Sequence, residues 1–176
     1  MDGEFSAAAP SSSRTEQPQL TPEHALRFLH IDAGALGLLL GPIVMWAPKR
    51  PGLHPRLGDL YFFAVTVVCA TALLLAGLRW AQFGFFFPIA LGTYAIALPG
   101  YLAAKKRWRR WIVYHVVGQL SSYVAITSSF IVNNFQKITG VSGIPFAVRA
   151  LVPMFIGTCL VAWFSFQVYL GKRPKS

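Results

Sequence analysis

Five long apolar runs, each close to the roughly 20 residues that cross a hydrocarbon core, follow one another along this chain and leave only short polar connections. The first opens at TPEH, with Thr21 placed as N-cap and Pro22 at the first helical position, and reaches about Trp46. The others extend from about Gly58 to Leu78, from Gln82 to Ala104, from Trp111 to about Asn134 and from about Pro145 to Leu170. In lipid, each backbone polar group needs a partner inside the protein, and a helix supplies it within the segment. The expected fold class is therefore all-α: a polytopic transmembrane helix bundle of five spans. Pro88, Pro99 and Pro153 fall within the runs and are expected to kink their helices. Residues 1–20, rich in Ser, Ala, Pro and Gln, read as a disordered polar tail, residues 21–171 as the membrane domain and residues 172–176 as a basic tail. The first tail lacks the basic start and hydrophobic middle of a signal peptide.

Charge places the connections. The net charge is +10, yet charged residues make up only 12% of the chain, about half the usual share of a soluble domain. A nucleic-acid binder needs its cations spread over a water-facing surface, so nucleic acid is not an expected partner. One side of the bundle receives Lys49, Arg50, Arg56, Lys105, Lys106, Arg107, Arg109, Arg110, Lys172, Arg173 and Lys175; the other receives Arg14, Arg27, Arg79, Lys137 and Arg149. Eleven cations against five predict a cytoplasmic cluster side, an external N-terminus and a cytoplasmic C-terminus, in a multi-pass protein of a bacterial inner membrane. The stretch KKRWRR, Lys105 to Arg110, then reads as a boundary between spans three and four, with Trp108 and Trp111 as interface anchors and anionic lipid headgroups as partners.

The acids exclude much chemistry. All six (Asp2, Glu4, Glu16, Glu23, Asp32 and Asp59) precede residue 60. Neither a dinuclear carboxylate centre nor a pair of hydrolytic carboxylates can be assembled from the last two-thirds of the chain. Cys69 and Cys159 each fall within an apolar run and read as small buried hydrophobes. There is no GxSxG, GxxxxGK[ST], HExxH or CxxC, and five spans do not divide into the two halves of an inverted-repeat transporter.

The polar residues that remain in the spans are the site candidates. His115, Gly118, Gln119, Ser122, Ser129 and Asn133 fall at offsets 0, 3, 4, 7, 14 and 18, which at about 100° per residue is one face of the fourth helix. Such a stripe faces protein or a cavity, either bonding helix to helix or lining a ligand site. In the first helix, His30, Gly34, Gly37 and Gly41 lie at offsets 0, 4, 7 and 11 and read as a helix-packing groove. Asp32 points about 200° away from His30 and is expected near the outer interface, as a solvated, paired or proton-handling acid. His54 lies in the first basic loop, just before Pro55, and Asp59 early in the second helix suits its positive end. His54 and His115 share one membrane face, and His30 is near the other. Two neutral imidazoles on neighbouring helices can bind a haem iron axially, so haem b is a candidate cofactor. His24, in the opening turn, reads as solvated.

HPRLGDLYF, His54 to Phe62, and WIVYHVVGQLSSYVAITSSFIVNN, Trp111 to Asn134, resemble a group of uncharacterised bacterial membrane proteins. In that group a His-Arg-x-x-Gly-x-x-Tyr motif opens the second span, and a later span carries Trp, His, Gly, Ser-Tyr, Thr/Ser-Phe and Asn. The resemblance picks out His54, Arg56, Gly58 and Tyr61, then His115, Gly118, Ser122, Tyr123, Ser129, Phe130 and Asn133. Here Pro55 separates His54 from Arg56, and Asp59 replaces a basic residue. The resemblance implies the five-span fold and no activity.

Two functional expectations follow. In the first, the chain has no catalysis of its own and packs against other membrane protein subunits or holds a lipid-like ligand. In the second, it is a small haem-b redox carrier using His54 and His115, with Tyr61, Gln119, Ser122 and Asn133 as further ligand-lining candidates.

Overall fold

A computed structural model describes residues 21–49 and 52–171. The expected tails, residues 1–20 and 172–176, lie outside the described residues. The fold is all-α: α1 (Pro22–Trp46), α2 (Leu53–Leu78), the single turn α3 (Trp80–Phe83), α4 (Phe86–Lys106), α5 (Trp111–Thr139) and α6 (Phe146–Tyr169). All but α3 are long and apolar enough to cross a membrane, and the chain is a multi-pass membrane protein.

Several boundaries differ from the sequence expectation, each for a local reason. The second span begins at Leu53 and not near Gly58, because Gly52 takes φ +111° and lets the chain enter the helix directly from the turn. His54 is thereby in the first helical turn, not in a loop. The third span begins at Phe86, after the separate turn α3, so Pro88 lies in the opening turn of α4 and does not kink its middle. The fourth extends to Thr139, where Gly140 stops it with φ +70°. Thr21 is the N-cap residue of α1, but its hydroxyl bonds the His24 ring at 3.2 Å rather than a first-turn N–H.

Packing runs α1 on α2, α2 on α4 and α4 on α5, with a lighter return from α5 to α1; α6 lies along α5 on the outside. The α1–α2 and α4–α5 hairpins thus form a four-helix group. Its centre holds Leu40, Tyr61, Val65, Cys69, Ala97 and Ile126. Ala64, Val65, Ala76, Ala97, Ala103 and Ser122 are almost wholly shielded. Small residues at these positions let backbones approach, which is how helices gain contact where lipid offers no hydrophobic driving force between them.

The closest approaches are at glycines. Gly100 of α4 and Gly118 of α5 cross so tightly that a Cβ on Gly100 would lie 2.8 Å from the Gly118 Cα. A Cβ on Gly41 would run into the Tyr123 ring of α5. The expected groove His30–Gly34–Gly37–Gly41 is therefore tight at one end only. At Gly34 and Gly37 an added Cβ would find its nearest neighbours at 4.0 and 3.9 Å, ordinary contact distance.

Candidate functional site: a pair of imidazoles at one end of the bundle

The site forms where α1 and α4 end and α2 and α5 begin. Helix α1 stops because Pro48 has no N–H to offer the Val44 carbonyl. Two side chains supply donors instead. The Lys49 ammonium bonds the carbonyls of Met45, Ala47 (3.0 Å) and Val44 (3.4 Å), and the His54 Nδ1 faces the Val44 carbonyl at 3.2 Å. Partial burial pushes the Lys49 ammonium below its usual pKa.

The second hairpin repeats the device. His115, early in α5, turns its Nδ1 to the Gly100 carbonyl of α4 at 3.3 Å, and the Gln119 amide Nε2 donates to the Ala97 carbonyl at 3.1 Å. A nitrogen facing a carbonyl must carry the proton. In the neutral form of both rings the proton is thus on Nδ1, which leaves Nε2 with its lone pair. The two rings lie with centroids 6.4 Å apart and planes at 79°. The Trp111 ring stands 6.3 Å from the His115 ring.

Behind the imidazoles a short polar chain runs into the core. Ser122 Oγ donates to the Gln119 carbonyl at 2.8 Å, so its lone pairs accept from the Tyr61 hydroxyl at 3.0 Å. Tyr61 and Ser122 are buried. Every polar atom of this chain is spoken for, so it orients Gln119 and the opening turns of α5.

Of the sequence candidates, the structure brings together His54, His115, Gln119, Ser122 and Tyr61. It does not bring Asn133, which lies eleven residues beyond Ser122, or about 16 Å along the helix, and is exposed with its amide on the Ser129 carbonyl at 2.8 Å. His30 is at the opposite end of α1, its Nδ1 2.9 Å from Thr71 Oγ1. The Thr71 proton already goes to the Val67 carbonyl at 2.7 Å, so His30 donates and ties α1 to α2. His24 is exposed, as expected.

The basic stretch is partly committed within the protein. Lys105 forms an ion pair with Asp59 at 2.7 Å, so Asp59 serves neither histidine. The Arg107 guanidinium lies 4.5 Å over Trp111, and that of Arg110 lies 5.4 Å over Tyr169 at the end of α6. Arg107 and Arg110 both take positive φ, 53° and 61°, which folds the turn so that these contacts form. Lys106 and Arg109 are exposed without such a contact among the described residues.

Sequence reasoning missed Lys49 as a helix cap, Gly100 as the partner of Gly118, and the Lys105–Asp59 pair. Pro48 was the available signal for the first, since a proline four residues after Val44 orphans its carbonyl. Compared with protein-family profiles, curated proteins and solved structures, the chain finds no match.

Proposed function

We propose that this chain is a membrane protein that holds a haem of the b type between His54 and His115 and works as a small one-electron carrier. The observation that carries the reading is the imidazole pair: two rings at 6.4 Å, both with Nδ1 engaged by a backbone carbonyl and Nε2 without a hydrogen bond among the described residues. His54 and His115 would hold the iron through their Nε2 atoms, and the haem would supply one-electron redox chemistry there. The carbonyl bonds supply the outer-sphere support that fixes the tautomer of a ligating histidine.

Charge favours haem over a bare ion. A divalent cation would find no free carboxylate here, because Asp59 is held by Lys105, and it would sit among Lys49, Arg56 and the basic turn. Haem brings two carboxylates of its own to that cationic rim. If both histidines were bound to the iron, the group would suit electron exchange rather than chemistry on a bound molecule.

A second reading has its own support. The same Nδ1–carbonyl bonds, with Tyr61–Ser122 behind them, tie helix ends together, as in a non-catalytic protein that packs against other membrane subunits. The resemblance to uncharacterised bacterial membrane proteins, the bacterial inner membrane as location and anionic headgroups as partners of Lys106 and Arg109 remain parts of the proposal under either reading.

One spectrum separates the two. Protein expressed with ample haem and purified in mild detergent is expected to show a Soret band that shifts on adding dithionite, and His115→Gln to lose it while remaining folded. Wild-type protein without Soret absorbance would end the haem reading and leave the histidines as helix ties.

A further inference from the structure

Asp32 lies on the outer face of α1, where no described residue covers it. It is exposed, and no hydrogen bond or ion pair reaches it among the described residues. Glu23 answers Arg27 and Arg79, and Asp59 answers Lys105. Asp32 is therefore the one described acid left without a cation.

Its depth makes this costly. Arg27, paired with Glu23, marks the polar end of α1, and Asp32 is five residues further in, about 7.5 Å along the axis. Trp46, 84% exposed at the other end, is fourteen residues away, about 21 Å. A hydrocarbon core bounded by Arg27 and Trp46, about 28.5 Å apart along the axis, places Asp32 about 7.5 Å inside its nearer edge. The short side chain of aspartate cannot reach the headgroups from there as a lysine can. Among the described residues Asp32 has no paired cation.

Around it lies an exposed face of α1. Phe28 (60% exposed), Asp32, Ala35 and Leu39 (67% exposed) follow at offsets −4, 0, 3 and 7 on this outward face. Ala35, one turn from the acid, leaves room for a second backbone to come close. A second copy of this chain laid on the same face in the same sense would set carboxylate against carboxylate. The charge complement is a cation.

We propose that this face of α1 docks a transmembrane helix of a different protein, one that presents a lysine or arginine to Asp32 within the hydrocarbon core. The inference does not rest on the haem reading, because His54 and His115 lie at the other end of α1.

The test uses the full chain extracted from its own membranes in mild detergent. Wild-type protein is expected to run on a native gel as a complex larger than one chain, and native mass spectrometry to show a second, different chain with a basic residue in a span. Asp32→Leu is expected to weaken that complex by roughly three- to tenfold while leaving the melting temperature of the isolated bundle unchanged. Exchanging the charges, Asp32→Lys with the partner's cation changed to glutamate, should restore it. A wild-type protein that runs alone, a complex of two identical chains, or a complex indifferent to Asp32→Leu would each overturn the proposal.

Discussion

Gly41 and Gly37 stand on one face of one helix, yet their surroundings demand different things. At Gly41 a Cβ would enter the Tyr123 ring, whereas at Gly37 it would only touch Ile126 and Ala64. Gly41→Ala is expected to destabilise the bundle by about 1–3 kcal/mol, the cost of forcing extra volume into a filled site. Gly37→Ala should leave stability unchanged or raise it by up to about 1 kcal/mol, since alanine is the better helix former. Thermal unfolding of the two variants in the same detergent makes the comparison, and equal losses would mean that Tyr123 moves aside freely. From the sequence the two glycines were equivalent, because offsets along a helix say which face a residue takes and not what arrives there.

Between elements, prolines create the polar groups that neighbouring helices answer. Pro42 cannot donate to the Leu38 carbonyl, and the Tyr123 hydroxyl of α5 approaches that carbonyl at the long distance of 3.5 Å. Pro48 orphans the Val44 carbonyl in the same way, and His54 and Lys49 answer it. In each hairpin, then, a histidine early in the second helix reaches back to a carbonyl of the first. If Tyr123 serves the carbonyl that Pro42 frees, its hydroxyl becomes redundant when residue 42 carries its own N–H. Tyr123→Phe should therefore cost about 0.5–1 kcal/mol in the wild-type background and close to nothing beside Pro42→Ala. A double-mutant cycle on unfolding in detergent reads the difference, and no coupling would assign Tyr123 to packing over Gly41 alone.

For the whole molecule, the connections of the two hairpins carry most of the cations among the described residues. The ends of α1 and α4 with the starts of α2 and α5 hold Lys49, Arg56, Lys105, Lys106, Arg107, Arg109 and Arg110, whereas the opposite end holds Arg27, Arg79, Lys137 and Arg149. The positive-inside rule predicts that the first end is cytoplasmic. Reporter fusions after Arg79 and after Lys137 are then expected to read external, and one after Arg110 cytoplasmic. A cytoplasmic signal after Arg79 would reverse the orientation without disturbing the bundle. Tyr169 under Arg110 brings the end of α6 to the same side as the basic turn, in keeping with five crossings.

The number of spans and the helical class were legible in the sequence because lipid leaves a backbone so few options. A run of about 20 apolar residues becomes a helix whatever packs beside it, and length alone marks it. The polar face of α5 was legible too, since His115, Gln119 and Ser122 are spaced by the helical period. Which residues that face would meet was not. His54 is close to His115 because Gly52 starts α2 early and Pro48 ends α1, so that both hairpins close at the same level. Asp59 is taken by Lys105, a partner forty-six residues away that no local pattern announces. The identity of the outward face of α1 was likewise decided by packing. Periodicity set Asp32 opposite His30, but only the arrangement of α2 and α5 on the other side left it facing away from the protein. Local backbone chemistry fixes where each helix begins and ends; the pairing of side chains between helices depends on crossing points set by the close approach of Gly100 to Gly118 and Gly41 to Tyr123.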